Sequence, residues 1–185
     1  MEPIATAIFG QRKSDTIIGV RAVWINPGAA ANRCYHLATM ELFEARIIDL
    51  EAAAALFDAY RQFYRYPPDF SACREYLRER ISRAESRIFL VSDAGQTIGF
   101  MQLYPSFSSL SLKPVWILYD LFVAPDARKR GVARLLLSQA QTLAGQTRAS
   151  EVTLATAIDN RAAQQLYERM GWNRDDEFYY YNLVV

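Results

Sequence analysis

Two cysteines and one histidine are all the thiol and imidazole in this 185-residue chain. Cys34 and Cys73 are too few to staple a secreted scaffold, and adding His36 does not make a Cys/His metal site. A Ser-His or Cys-His catalytic pair would have to use His36, which stands in an irregular stretch. Lysine is scarce too: Lys13, Lys113 and Lys129 within a basic total of 21. Against 20 acidic residues the formal net charge is +1, which gives no warrant for a nucleic-acid binder or a polybasic membrane protein. No apolar run approaches the roughly 20 residues of a membrane span. The N-terminus lacks the basic start and apolar core of a signal peptide. These absences predict a metal-free cytoplasmic protein with neither nucleic acid nor membrane as partner.

What is present is apolar bulk. Hydrophobic residues make up 51% of the chain and charged ones 22%, enough for the core of one domain or of a domain with an extension. Residues 1–40 differ from the rest. Ile4–Phe9 and Thr16–Ile25 have the composition of short strands and Asn26-Pro27-Gly28 reads as a turn, but no chemistry stands out. This stretch is either a loosely packed or disordered extension, or it precedes a natural start at Met40. The domain itself is expected over 41–185.

From Leu42 the periodicities alternate. Leu42–Ile48 predicts a strand. Asp49 or Leu50 begins a helix reaching about Tyr64, and Asp69 or Ser71 caps a second whose stripe is Cys73, Leu77, Ile81 and Ala84. Arg87–Ser92 and Thr97–Tyr104 form a hairpin about Asp93-Ala94-Gly95-Gln96. After a Ser-rich loop, Pro105–Lys113, comes Val115–Val123, apolar on both faces and therefore central. The helix Val132–Ala144, with Val132, Leu135, Leu136, Ala140 and Leu143 inward, is closed by Gly145. A strand Glu151–Thr156, a helix Asn160–Met170 ended by Gly171, and a last strand Phe178–Val185 complete an α/β fold: a mixed sheet flanked by helices.

The segment Leu118–Leu137 is the most informative. An apolar strand stops at Ala124-Pro125, a basic turn Arg128-Lys129-Arg130-Gly131 follows, and a helix begins at Val132. The bare N–H groups of a helix start suit a phosphate. Gly131 admits close backbone approach and Ala133 keeps the first turn small. Neither a Walker loop nor a dinucleotide fingerprint fits, which leaves another phosphate-bearing ligand.

Arg128-Lys129-Arg130-Gly131-Val132-Ala133 resembles the pyrophosphate loop Arg/Gln-x-x-Gly-x-Gly/Ala of the GCN5-related N-acetyltransferases, the GNAT superfamily. Asn160 through Trp172, with Ala163, Tyr167 and Gly171 in register, is similar to that superfamily's Asn-x-x-Ala-x-x-x-Tyr-x-x-x-Gly-Phe/Trp. Tyr104–Ser109 with Trp116–Val123 resembles the bacterial histone/polyamine acetyltransferase-like branch. The resemblance spans about Glu41–Val185. It implies a GNAT fold whose splayed central strands form a cleft, acetyl-CoA as co-substrate, no metal, and an amine acceptor. By position it implies that Leu121, Phe122 and Val123 carry the pantetheine arm. Arg128, Lys129, Arg130, Gly131, Val132 and Ala133 would hold the pyrophosphate, Asn160 would bond the arm, and Tyr167 would lie beside the sulfur.

The chemistry is consistent with those residues. An attacking amine must lose its proton, and a backbone N–H near Leu121–Val123 would stabilise the oxyanion. A thiolate with a pKa of about 8.5 is a weaker base than a phenolate at about 10, so proton donation from Tyr167 would be uphill by roughly 2 kcal/mol. Tyr167 then serves as a hydrogen-bond donor, or else is a core aromatic. Asp120 is the candidate base, since an ionisable group within an apolar strand is costly unless paired or used; a structural acceptor role is the alternative. Polyamine-type relatives often carry Glu-Asp here, whereas this chain has Tyr119-Asp120. Tyr60, Phe63, Tyr64, Tyr66 and Phe70 either box an aliphatic amine by cation–π contact or supply core and a dimer surface. The tail Phe178–Tyr181 fits a strand shared in a homodimer. The expected acceptor is a small polyamine- or amino-acid-like amine. A protein lysine or N-terminal amine, or a non-catalytic acetyl-CoA sensor, are the alternatives.

Overall fold

A computed structural model of the protein describes residues 40–185. The expected strands Ile4–Phe9 and Thr16–Ile25, the Asn26-Pro27-Gly28 turn, Cys34 and His36 lie outside the described residues.

The elements follow in the order β1 (Met40–Glu44), α1 (Leu50–Phe63), α2 (Phe70–Ser82), β2 (Arg87–Asp93), β3 (Gln96–Ser108), β4 (Lys113–Val123), α3 (Val132–Thr147), β5 (Glu151–Leu154) and α4 (Arg161–Arg169). The five strands form one sheet in sequence order, antiparallel from β1 to β4 and parallel between β4 and β5. Two cores sit on its faces. Ala53, Ala54 and Leu77 of the helix pair α1–α2 pack against Ile88, Leu90, Phe100 and Phe122. On the other face Val132, Leu136, Leu137, Ala140 and Leu143 of α3 meet Val91, Met101, Leu103, Trp116 and Leu118. Burial of these stripes is what drives the layering. No helix among the described residues is long and apolar enough to cross a membrane.

The start of α2 follows from its sequence. The Asp69 carboxylate accepts the Ala72 N–H at 2.9 Å, and the buried Asp58 accepts the Asp69 N–H at 2.8 Å, tying the α1–α2 turn to α1. At Gly99 the sheet and α3 approach so closely that an added Cβ would lie 2.6 Å from Val132 Cγ1 and 3.3 Å from Leu136 Cδ1. Val132 is fully buried and stiff about χ1, so it cannot turn aside. Gly99→Ala is therefore expected to lower stability by about 1–2 kcal/mol in a urea melt, overpacking outweighing the gain in strand entropy.

Several expected elements are corrected. The first strand stops at Glu44, because Asp49 accepts the Arg46 N–H at 2.9 Å and Ile47–Asp49 coils into a 3₁₀ turn. The expected loop Pro105–Lys113 is half strand. β3 continues through Ser108 by pairing with β4, and Pro105 is tolerated since β2 ends its pairing at Leu103 and leaves that edge free. Gly145 does not close α3. Thr147 Oγ1 donates to the Leu143 carbonyl and accepts the Trp116 indole N–H, each at 2.8 Å, which holds one more turn. Leu137 rather than Leu135 is fully buried on that helix.

Phe178–Val185 is not a strand. Asp175 accepts the N–H groups of Glu177 and Phe178, and the aromatic tail beyond is exposed. Strand propensity needs a neighbouring ladder and a face to bury, and the described residues offer this segment neither.

Candidate active site

β4 carries one residue more than β3 opposite it. Leu103 pairs with Leu118 and Gln102 with Asp120, so Tyr119 is extruded as a bulge. The bulge resets the alternation of the strand. Trp116 and Leu118 face α3, whereas Phe122 packs with the α1 core and Asp120 opens toward α1. Without the extra residue, period two would keep all four on one face. Tyr119 is exposed, which corrects the expectation of a strand apolar on both sides.

A cavity of about 230 Å³ lies over the bulge. Phe57, Tyr60 and Arg61 of α1 and Tyr64, its C-cap, line it at i, i+3, i+4 and i+7, with Tyr66, Tyr119 and Asp120 completing the cup. Tyr60 and Tyr64 meet edge to face at 5.1 Å. Of the expected aromatic cluster, Tyr60, Tyr64 and Tyr66 are in the cup. Phe63 instead stacks under the Arg128 guanidinium at 5.6 Å, and Phe70 opens α2.

Asp120 is 6% exposed. The Tyr60 hydroxyl lies between it and the Tyr119 carbonyl oxygen, 3.5 Å away. Burial pushes the Asp120 carboxyl up from 3.8, the Tyr60 hydrogen bond pulls it partly back, and it rests at about 6. Burial and the adjoining carboxylate push the Tyr60 phenol well above its ordinary value, so it stays a donor. Tyr167, half-buried on α4 with its ring 6.0 Å from Trp172, is likewise raised by burial, and Tyr64 adds to the shift.

The pairing of β4 with β5 ends at Leu118–Leu154. Leu121, Phe122 and Val123 thus run on with no strand beside them on the β5 side among the described residues, the Val123 carbonyl alone being taken there by Arg128, and the sheet opens. Just beyond, the turn delivers Gly131 at φ +88° as the N-cap of α3, without a side-chain cap. The N–H groups of Lys129, Arg130, Gly131, Val132 and Ala133 have no acceptor among the described residues. This cradle of amides fits a diphosphate. The basic side chains are less free than expected. Arg130 is paired with Asp93, and Arg128 donates to the Val123 carbonyl at 3.2 Å while stacking on Phe63 and Phe122. Asn160 caps α4, its Oδ1 3.3 Å from the Ala163 N–H and its Nδ2 3.4 Å from Thr156 Oγ1. Among the described residues no cluster of three or more His, Cys, Asp or Glu side chains could hold a metal.

Arg61 and the bulge itself escaped the reading of the sequence. A signal for Arg61 was there, since it shares its helical face with Phe57, Tyr60 and Tyr64.

An opened parallel strand pair beside a bare helix N-terminus makes an α/β fold with a cleft suited to a phosphate-bearing ligand. The model of the Acetyltransferase (GNAT) family matches residues 53–172. The uncharacterized N-acetyltransferase YhfO of Bacillus subtilis (strain 168) is 44% identical over 146 residues, covering 79% of this chain and 98% of the relative. The crystal structure of a probable acetyltransferase, 41% identical, superposes with a TM-score of 0.74 over 78% of this chain and 97% of that one. An aminoglycoside N-acetyltransferase in complex with CoA shares the fold at 20% identity, with a TM-score of 0.68 over 82% and 99% of the two chains. The chain belongs to the GNAT family and is an acetyl-CoA-dependent N-acetyltransferase.

Proposed function

We propose that the enzyme acetylates the primary amine of a small molecule by direct attack, with Asp120 and Tyr167 as its catalytic residues. Acetyl-CoA supplies an acyl carbon activated by a thiol leaving group. The amides of Lys129–Ala133 bind the diphosphate with Arg128 and Arg130, for which Arg130 shares or leaves Asp93. The free edge of Leu121, Phe122 and Val123 orients the pantetheine arm and offers an N–H to the carbonyl oxygen as it gains charge. Asn160 keeps one Nδ2 hydrogen for that arm, the other facing Thr156. The amine nitrogen gains the acyl carbon as the C–S bond breaks. The acceptor attacks as the neutral amine, its ammonium proton having left to solvent, and the proton it sheds on acylation passes to Asp120. Tyr167 donates a hydrogen bond to the sulfur, which is then protonated from solvent.

The observation that carries this reading is the place of Asp120. It is a buried carboxyl at the floor of an aromatic cup, on the strand whose next residues have the free edge. A base lifted to about 6 accepts a proton better than an ordinary aspartate and is still ionised near neutrality. The cup holds about 230 Å³ and shares Phe57 and Arg61 with an adjoining hollow of about 270 Å³, together room for a small acceptor. A relative named aminoglycoside N(6′)-acetyltransferase, from Acinetobacter baumannii and 24% identical, is by its name a small-molecule enzyme. Within the histone/polyamine-like branch, an amino-acid-like acceptor fits better than a polyamine, because Tyr119 stands where those relatives carry a second carboxylate.

The test is CoA thiol release, followed with a thiol dye over an amine panel. Tyr167→Phe is expected to lower kcat about tenfold, the value of one hydrogen bond formed as the sulfur leaves, with acetyl-CoA affinity held within about twofold. Full turnover in that variant would remove Tyr167 from the chemistry.

A further inference from the structure

Resting on that reading, we infer that the acceptor carries a carboxylate as well as its amine, and that Arg61 selects it. Arg61 stands in the wall of the cup that holds Asp120. Arginines on α1 and α2 are otherwise satisfied by carboxylates: Arg74 by Glu51, Arg78 by Glu75 and Arg80 by Glu79 and Glu85. Arg61 has no carboxylate oxygen within 4 Å among the described residues. Its contacts are soft, a thiol sulfur at 3.4 Å in Cys73 and the Tyr66 ring at 5.4 Å. The two acids whose charge reaches it are engaged elsewhere, Asp58 on Gln62, the Asp69 N–H and the Cys73 thiol, and Asp69 on the Ala72 N–H.

The result is a guanidinium fork with donors to spare beside a small cavity whose other charged group is a carboxyl. Two opposite charges in one cup, with aromatic rings between them, complement a zwitterion: ammonium toward Asp120, carboxylate toward Arg61, and a short aliphatic link on Tyr60 and Tyr64. The same fork opposes a second ammonium, so a diamine meets a like charge where an amino acid meets its counter-ion.

The experiment compares acceptors matched in length. γ-Aminobutyrate, butylamine and putrescine, with α-amino acids from glycine to ornithine, are assayed for CoA thiol release on the wild-type chain and on Arg61→Gln and Arg61→Lys. The wild type is expected to prefer the best amino acid to its matched alkylamine by about tenfold or more in kcat/KM, the value of a charge-assisted contact, and putrescine to be poorest. Arg61→Gln should collapse that ratio toward one through KM, with Arg61→Lys in between. Acetyl-CoA affinity, read by calorimetry, reports that the variants are folded. Thiol release indifferent to the carboxylate, or a ratio unmoved in Arg61→Gln, overturns the inference and leaves the acetyltransferase reading standing. Acetyl-CoA binding without thiol release from any amine overturns that reading and the inference with it.

Discussion

Asp120→Asn is expected to lose activity and gain stability. In its proposed role as proton acceptor for the attacking amine, Asp120 would be worth about 10²–10⁴ in rate, so kcat should fall by at least a hundredfold with acetyl-CoA affinity little changed. The stability effect has the opposite sign. Burial raises this carboxyl from 3.8 to about 6, so the folded state binds its proton more tightly than the unfolded chain. Between those values stability falls as pH rises, and near neutrality the buried charge costs about 3 kcal/mol at most. Asparagine keeps the shape and an acceptor for the Tyr60 hydroxyl, and has no charge to bury. The variant should therefore melt several degrees above the wild type at pH 7, and the gap should shrink as pH falls from about 6 and close by about pH 3, below both the folded value of about 6 and the unfolded 3.8, where the wild-type carboxyl is mostly protonated in both states. The wild-type kcat/KM should also climb through about pH 6. Equal melting at both pH values, or an active asparagine variant, would return Asp120 to a structural role.

That position also marks how far the sequence could be read. Asp120 stood out as an acid within an apolar strand, but its direction did not. Strict alternation groups it with Trp116, Leu118 and Phe122, and it takes the bulge at Tyr119 to turn it away from α3. A bulge arises from the fit of two strands, and one strand alone does not announce it. The basic turn and Gly131 were legible because a strand, a turn and a helix start form one local unit. Asn160 and Gly171 were legible as the two ends of α4 for the same reason, with Asn160 capping and Gly171 at φ +84°. Arg61 was missed because a charge on an amphipathic helix reads as a solvated residue. Only the turn after α1 and the bulge on β4 make its face a wall of the cup. Phe178–Val185 was misread because β-branched and aromatic residues state a preference that a missing neighbour leaves unmet.

Gly131→Ala separates the phosphate cradle from the rest of the site. Gly131 holds φ +88°, and a Cβ built there meets nothing within 4 Å, so the chain itself has room for alanine. The cost to the fold is the left-handed backbone, about 1–2 kcal/mol, a fall of a few degrees in Tm. The cost to binding is larger. In the proposed site the methyl would enter the space of the diphosphate, and any relaxation of φ would turn the N–H groups beside Gly131. Each charge-assisted bond lost is worth about 1.5–3 kcal/mol, so acetyl-CoA affinity should fall on the order of a hundredfold by calorimetry. Acetyl-pantetheine provides the control, since it keeps the thioester and the arm and has no diphosphate. Its kcat/KM should be nearly the same in the variant and the wild type, because the free edge at Leu121–Val123, the cup and Tyr167 are untouched. Equal losses with both donors would mean that the turn had distorted the cleft. Unchanged acetyl-CoA binding would mean that these amides do not hold a phosphate, and the donor would have to be held from elsewhere.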